Sequence, residues 1–388
     1  MEYTQELKVQ PAGFEAAVKF VIGLAERPCA RTCNSLGLGV LSSLAKAAPG
    51  ETVAVSPAGL VAALALIAPG AKGAAGAALS AGLDYDPDEF ERMLRDAYNR
   101  STGEAEVLMA RALWPSTRLT LQADYLARLQ DQDGAEIHPI DFAGTDAAAA
   151  INSWMGEHTR GLIRHATDAL AADTIAAITS AVYFKAAWAK AFNPAHTQPG
   201  TFERGHGARL TVPMMQRDES CLYCEGPSFQ AVCLYFAGLA WQAIIVAVNE
   251  GNPARVYPSE LEFAPRKGRL IMPRLSFKTA AELTGPLKKS GLADVVSRNA
   301  DFSGIGDQAF HLDSIRQSIA MSADEAGVEA AAATIARARP RFAGGEPPPF
   351  TMLVDRPFLF AIRHRATGLL LFAAKVCDPG TSLSPQKS

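Results

Sequence analysis

Glu325-Ala-Gly-Val-Glu-Ala-Ala-Ala-Ala-Thr334 runs on as Ile-Ala-Arg-Ala-Arg-Pro-Arg341 and then Phe342-Ala-Gly-Gly345. Alternate positions from Val328 are Val328, Ala330, Ala332, Thr334, Ala336 and Ala338, all small or β-branched and none charged. The interleaved set holds Glu329, Ala331, Ala333, Ile335, Arg337 and Arg339. Segregation with a period of two predicts a strand with one face buried and the other wet. Alanine, however, is a poor strand former and a good helix former, so the segment is not committed to a strand in isolation. Tertiary context decides its state: a loop that can become a strand.

Working outward, helical periodicity predicts helices over residues 13–24, 36–48, 58–67, 87–98, 147–162 and 281–290. Strands are predicted over residues 52–57, 104–114, 175–183, 210–215, 231–235, 243–248, 269–277, 351–354, 358–363 and 368–376. Ser56 is placed to cap the helix that follows, and Pro57 suits its first turn. No βαβ series and no repeat emerges. Helices followed by antiparallel strands predict an α+β fold, read as one domain over 1–388 with an exposed loop at about 325–349.

The hinge resembles the reactive-centre loop of the serpins, inhibitors that trap a serine protease by inserting their own loop into a sheet. The family's pattern of Glu, any residue, Gly, a small residue, Glu and a run of alanines ending near Thr is met by Glu325, Gly327, Val328, Glu329, Ala330, Ala331, Ala332, Ala333 and Thr334. Val328 stands where the family commonly has Thr or Ser. The similarity extends from about residue 34 to Pro379 through Asn34, Val55-Ser-Pro57, Ile151-Asn-Ser-Trp154, Ala181-Val-Tyr-Phe-Lys185, Val212-Pro-Met-Met215, Pro273-Arg-Leu-Ser-Phe277, Ala300-Asp-Phe-Ser-Gly304 and Asp355-Arg-Pro-Phe-Leu-Phe360. Taken together these are highly specific, and the chain is identified as similar to serpins of a prokaryotic-like, intracellular type.

The resemblance implies an N-terminal helical region, large mixed and antiparallel sheets, and a suicide substrate. The usual spacing from the first glutamate puts the attacked bond at Arg341–Phe342. The resemblance then implies a covalent one-to-one complex with a trypsin-like serine protease, an acyl-enzyme forming at Arg341. Arg337 and Arg339 compete for the same enzyme, but Pro340 weighs against cleavage after Arg339. Once cut, residues 328–338 enter the sheet, and eleven residues at roughly 3.3 Å each carry the tethered protease about 36 Å. The family's small polar cluster of Ser, Ser, Asn and His where the sheet opens is matched by Ser56, Gly59, Ser180 and Gln317, of which only the first is unchanged. Gln317 is expected to help hold the closed sheet. The segment 342–349, with Gly344-Gly345 and three prolines, is longer than usual and is expected to influence how the bond is presented.

Composition adds exclusions. With 48% hydrophobic and 20% charged residues, 388 residues are enough for a large core. The net charge of −3, from 37 basic and 40 acidic side chains, gives no reason to expect nucleic acid or a polysaccharide as partner. No run of eighteen uncharged apolar residues suggests a membrane span, and the polar start Met1-Glu-Tyr-Thr-Gln-Glu-Leu-Lys8 lacks an export signal, so a monomer in the cytoplasm is expected. No cofactor or metal is expected. Cys221-Leu-Tyr-Cys224 has the spacing of half a metal site but lacks a second pair, and Cys29 and Cys33 suit one helix face, so free thiols are expected.

Two rival functions remain. Ser43-Leu-Ala-Lys46 with Lys289-Ser-Gly291 matches fragments of penicillin-interactive serine hydrolases, but no Ser-Asp-Asn triplet lies between them. Within the serpin reading, the alternative is a non-inhibitory binding protein merely cleaved as a substrate. The alanine hinge disfavours it, because a loop that never inserts has no need of that parity.

Overall fold

A computed structural model describes residues 12–25, 27–83, 87–99, 105–130, 135–144, 146–168, 170–205, 207–226, 228–248, 262–307, 310–326 and 347–380. The chain begins in helices α1 (Ala12–Gly23), α2 (Pro28–Ala47), α3 (Pro57–Ile67), α4 (Gly73–Leu83) and α5 (Pro87–Asn99), with the short strand β1 (Val53–Val55) between α2 and α3. Then come β2 (Ala105–Pro115), α6 (Ala123–Gln130), β3 (Ala135–Ile137), α7 (Ala147–His158) and β4 (Ala176–Ala186). Strands follow: β5 (Gln198–Glu203), β6 (Arg209–Gly226), β7 (Phe229–Tyr235), β8 (Trp241–Val248), β9 (Ala264–Pro273) and β10 (Leu275–Glu282). After α8 (Thr284–Lys289) the chain closes with β11 (Ser314–Ala323), β12 (Phe350–Leu353), β13 (Phe358–His364) and β14 (Leu370–Val376).

The strands form two sheets. A five-stranded sheet has the order β10-β11-β4-β2-β3, and a nine-stranded sheet runs β1-β14-β13-β8-β7-β6-β9-β12, with β5 paired to β6. The α+β expectation holds, with one correction. Residues 269–277, predicted as one strand, are the end of β9 and the start of β10, which lie in different sheets. Arg274 N–H makes the last bond on the nine-stranded side, to the Pro213 carbonyl of β6 at 3.0 Å, and β10 begins at Leu275, so the chain passes from one sheet to the other at Arg274.

Burial explains the layering. Every residue of α3 is buried, as its all-apolar and small sequence dictates. One face of the five-stranded sheet presents Ala110, Ala112, Ala177, Ala181 and Ala320 beneath Ile151, Trp154 and Met155 of α7. Alanines keep that surface shallow, so the helix lies close. The opposite face sends Val182, Phe184, Ile319 and Met321 into a core shared with Phe358, Phe360 and Phe372 of the nine-stranded sheet. The five-stranded sheet is therefore covered on both faces near its middle.

Candidate functional site

At that middle, β11 and β4 are direct parallel partners, from Ser314 opposite Ala177 to Met321 opposite Phe184. This parallel pair is flanked by the antiparallel pairs β10–β11 and β2–β4, while the short edge strand β3 also pairs in parallel with β2, so the seam is the one central place where two long strands run the same way. An additional strand entering between them from the β11 end would run antiparallel to both, which is the better ladder geometry.

The root of the loop sits over the top of this seam. After β11 the backbone continues through Asp324, Glu325 and Ala326. Phe192 N–H donates to the Glu325 carbonyl at 3.1 Å, and Trp188 N–H donates to the Ala326 carbonyl at 2.9 Å. The Trp188 indole N–H reaches the Asp324 carbonyl at 2.7 Å. Trp188 and Phe192 follow directly from β4, so both strands flanking the seam grip the chain just before Gly327. Trp188 is 2% exposed and stacks on Phe236 with ring centroids 4.6 Å apart, which fixes the grip in place.

Glu325 is the charged pin of this root. Only 6% exposed, it receives Arg274 Nε at 2.8 and 2.7 Å on its two oxygens, and the Thr197 hydroxyl on Oε1. Burial pushes its pKa up, but the hydrogen bonds from Thr197 and Arg274 outweigh burial and hold it below the ordinary glutamate value. Arg274 is the residue at which the chain changes sheets. Sequence reasoning found Glu325 but missed Arg274 and Thr197. Arg274 lies within Pro273-Arg-Leu-Ser-Phe277, yet nothing local marks it as partner to a residue 51 positions on.

Lower in the seam, the structure brings Ser56, Gly59, Ser180 and Gln317 together. Gln317 pairs with Ser180 across β11 and β4. Gln317 Oε1 accepts from Ser56 N–H at 2.6 Å, and its Nε2 donates to the Ser56 carbonyl at 3.1 Å. The Ser56 hydroxyl donates to the Leu371 carbonyl of β14 and, as N-cap of α3, accepts from Gly59 N–H at 2.9 Å. A Cβ on Gly59 would stand 2.8 Å from Ser180 Oγ, 3.0 Å from Ser56 Oγ and 3.1 Å from Gln317 Nε2, so any side chain there would have to displace the Ser180 hydroxyl. Ser180 is buried and its hydroxyl has no hydrogen-bond partner among the described residues. The attachment is lopsided: β11 is tied to the body through Gln317, and β4 is not tied through Ser180.

Gly327, Val328, Glu329, Ala330, Ala331, Ala332, Ala333, Thr334, Arg341 and Phe342 lie outside the described residues. None of the six cysteines is in a disulfide, and all six are buried. Cys221 and Cys224 belong to cores on opposite faces of β6, as a spacing of three on a strand requires, so the pair cannot converge on one ion. Ser43 lies well inside α2, away from the helix N-terminus that a hydrolase nucleophile in Ser-x-x-Lys occupies. Among the described residues, no helix is long and apolar enough to cross a membrane.

Comparison with known proteins bears on this geometry. The family model described as Serpin (serine protease inhibitor) matches residues 31–379. Iripin-2 of Ixodes ricinus is 29% identical over 366 residues, covering 88% of this chain and 91% of that protein. Glia-derived nexin of Mus musculus is 27% identical over 371 residues, covering 89% and 92%. An uncharacterised serpin-like protein of Thermococcus kodakarensis is 29% identical over 375 residues, covering 91% and 86%. Among solved structures, the native stressed conformation of an Arabidopsis serpin superposes with a TM-score of 0.78 at 21% identity, over 93% of this chain and 98% of that one. Uncleaved ovalbumin gives 0.75 at 23% identity, over 95% and 100%. With a paired seam, a gripped loop root and a family match over most of its length, the chain belongs to the serpin family.

Proposed function

We propose that the protein inhibits a trypsin-like serine protease as a suicide substrate, with Arg341–Phe342 as the attacked bond. One observation carries this reading: β11 and β4 are paired directly, and the chain reaches Ala326, the residue before the alanine-rich segment, held at the top of their seam. Relatives named as inhibitors support it, including plasminogen activator inhibitor 1 of Neovison vison, 26% identical over 385 residues.

The protease serine attacks the Arg341 carbonyl, the peptide bond to Phe342 breaks, and the nitrogen of Phe342 leaves protonated. The Arg341 side is then an ester on the enzyme, joined to the inhibitor only through Gly327. Residues 328–338 enter the seam with Val328 and the alternate small residues inward, where bulk would clash with the packed core. Insertion exchanges one parallel ladder for two antiparallel ones, and the gain draws the acyl-enzyme about 36 Å along the sheet. Deacylation needs the oxyanion donors aligned within a fraction of an ångström, so a distorted enzyme keeps its ester. Serpin loop insertion is one of the standard examples of such a switch.

The test is to mix the intact protein with trypsin and resolve the products in SDS. A resistant one-to-one complex is expected. Quantitative cleavage after Arg341 with trypsin left active would instead identify a non-inhibitory, substrate-like serpin.

A further inference from the structure

The loop has a second root, on the far side of the attacked bond. Pro347, Pro348 and Pro349 are exposed and lead directly into β12. Three consecutive prolines hold φ near −65° and favour a stiff, extended stem. A stem is only as directed as its foot, and β12 is a weak foot: four residues long, at the sheet edge, with Leu353 46% exposed.

Side chains supply what the short ladder lacks. Arg266 of β9 donates from Nε to the Pro348 carbonyl at 2.8 Å and from Nη1 to Glu225 Oε1 at 2.9 Å. Its guanidinium lies 5.1 Å from the centre of the Tyr223 ring. The Tyr223 hydroxyl donates to Glu225 Oε2 at 2.5 Å and accepts from Gln230 Nε2 at 2.8 Å. Gln230 also reaches the Thr351 carbonyl of β12 at 3.0 Å. Tyr223 stacks on Phe350, with centroids 4.2 Å apart and planes 14° from parallel. Phe350, 3% exposed, sits opposite Gly268, where a Cβ would come within 2.2 Å of its ring. The hydrogen bonds from Tyr223 and Arg266 keep Glu225 below the ordinary glutamate pKa, so the ring of contacts is charged at neutral pH.

We propose that Arg266, braced by Glu225 and Tyr223, is a positioning residue that clamps the proline stem and so sets how the bond at Arg341 is presented to the attacking protease. The inference rests on the proposed inhibitory function and names a determinant of its rate and selectivity. The clamp fixes the leaving-group side of the loop, which stays on the body, while the hinge side moves. Its effect therefore falls on docking and acylation, not on insertion.

The experiment compares wild type, Arg266→Ala and Arg266→Lys for the rate of loop cleavage by trypsin, the rate of trapping, and the number of inhibitor molecules consumed per enzyme trapped. Arg266→Ala is expected to slow cleavage and trapping together by about tenfold, the cost of ordering roughly one more residue on docking. Molecules consumed per trap should stay at the wild-type value. Arg266→Lys, which keeps charge but not the two-pronged contact, should recover less than half of the lost rate. A wild-type cleavage rate in Arg266→Ala, or a change confined to molecules consumed per trap, would overturn the assignment. Cleavage is read independently of trapping, so a protein that is cut but never traps would refute the inhibitory function while still reporting on the clamp.

Discussion

Replacing Gln317 by Ala tests whether the seam is held shut by the contacts seen beneath it. Ser56 is fully buried, and its N–H is bonded to Gln317 Oε1 at 2.6 Å. Its carbonyl keeps a partner in Leu60 N–H at 2.8 Å, so the damage falls on the donor. An orphaned buried N–H and the space left by the amide together cost about 2–4 kcal/mol. With an unfolding entropy of about 2.1 cal/mol/K per residue, about 3 kcal/mol in a chain of 388 residues lowers the thermal transition by about 4 °C. Circular dichroism at fixed heating rate reads this directly, and the fixed rate matters because a kinetically protected state unfolds irreversibly. The intact variant should also lose trapping capacity faster on incubation, as the unpinned β11 parts from β4. Ser180→Ala is the matched control: its hydroxyl has no partner among the described residues, so its loss should shift stability by less than about 1 kcal/mol. An unchanged transition and an unchanged incubation lifetime in Gln317→Ala would refute the argument.

Three further outcomes follow from the loop and its root. Glu325 has a depressed pKa, so its contribution to stability is complete above the ordinary glutamate value of 4.5 and is lost as pH falls through the folded value. Glu325→Gln should therefore melt lower than wild type at pH 7 and show a smaller loss on acidification, measured by thermal scans from pH 7 to 3; parallel curves would remove Glu325 from the account. Arg341→Ala should reduce trypsin trapping on the order of a hundredfold by removing the charged group from the enzyme's specificity pocket, while cleavage elsewhere in the loop still raises thermal stability. Equal trapping would mean the bond is wrongly placed. Val328→Arg puts a charge on the inward face of the inserting segment, which should turn the protein into a substrate that trypsin cuts without becoming trapped; an SDS-resistant complex at wild-type yield would contradict that parity.

Much of the fold was legible because its signals are local. The all-apolar α3 with its Ser56 cap and the near-continuous apolar runs of β13 and β14 can be read from a few neighbouring residues. The strand that matters most, β11, was not predicted. Ser-Ile-Arg-Gln-Ser-Ile-Ala-Met-Ser-Ala has polar residues on both faces of the pleat, and eight of its ten residues are buried only because β10, β4 and α7 surround it. Pairing between Gln317 and Ser56 spans 261 positions, so resemblance could nominate the residues but no periodicity could join them. Likewise nothing in the sequence marks Arg266, and its hold on the stem at Pro348 is visible only with β6 and β9 side by side.

Arg274 occupies the one-residue step between β9 and β10, and it also grips Glu325. Under the proposed loop insertion, tension on the root of the loop falls on a corner of the molecule, where the chain already bends, and not on the middle of a ladder. In the proposed insertion, that corner lets the nine-stranded sheet serve as a fixed anvil while the five-stranded one spreads.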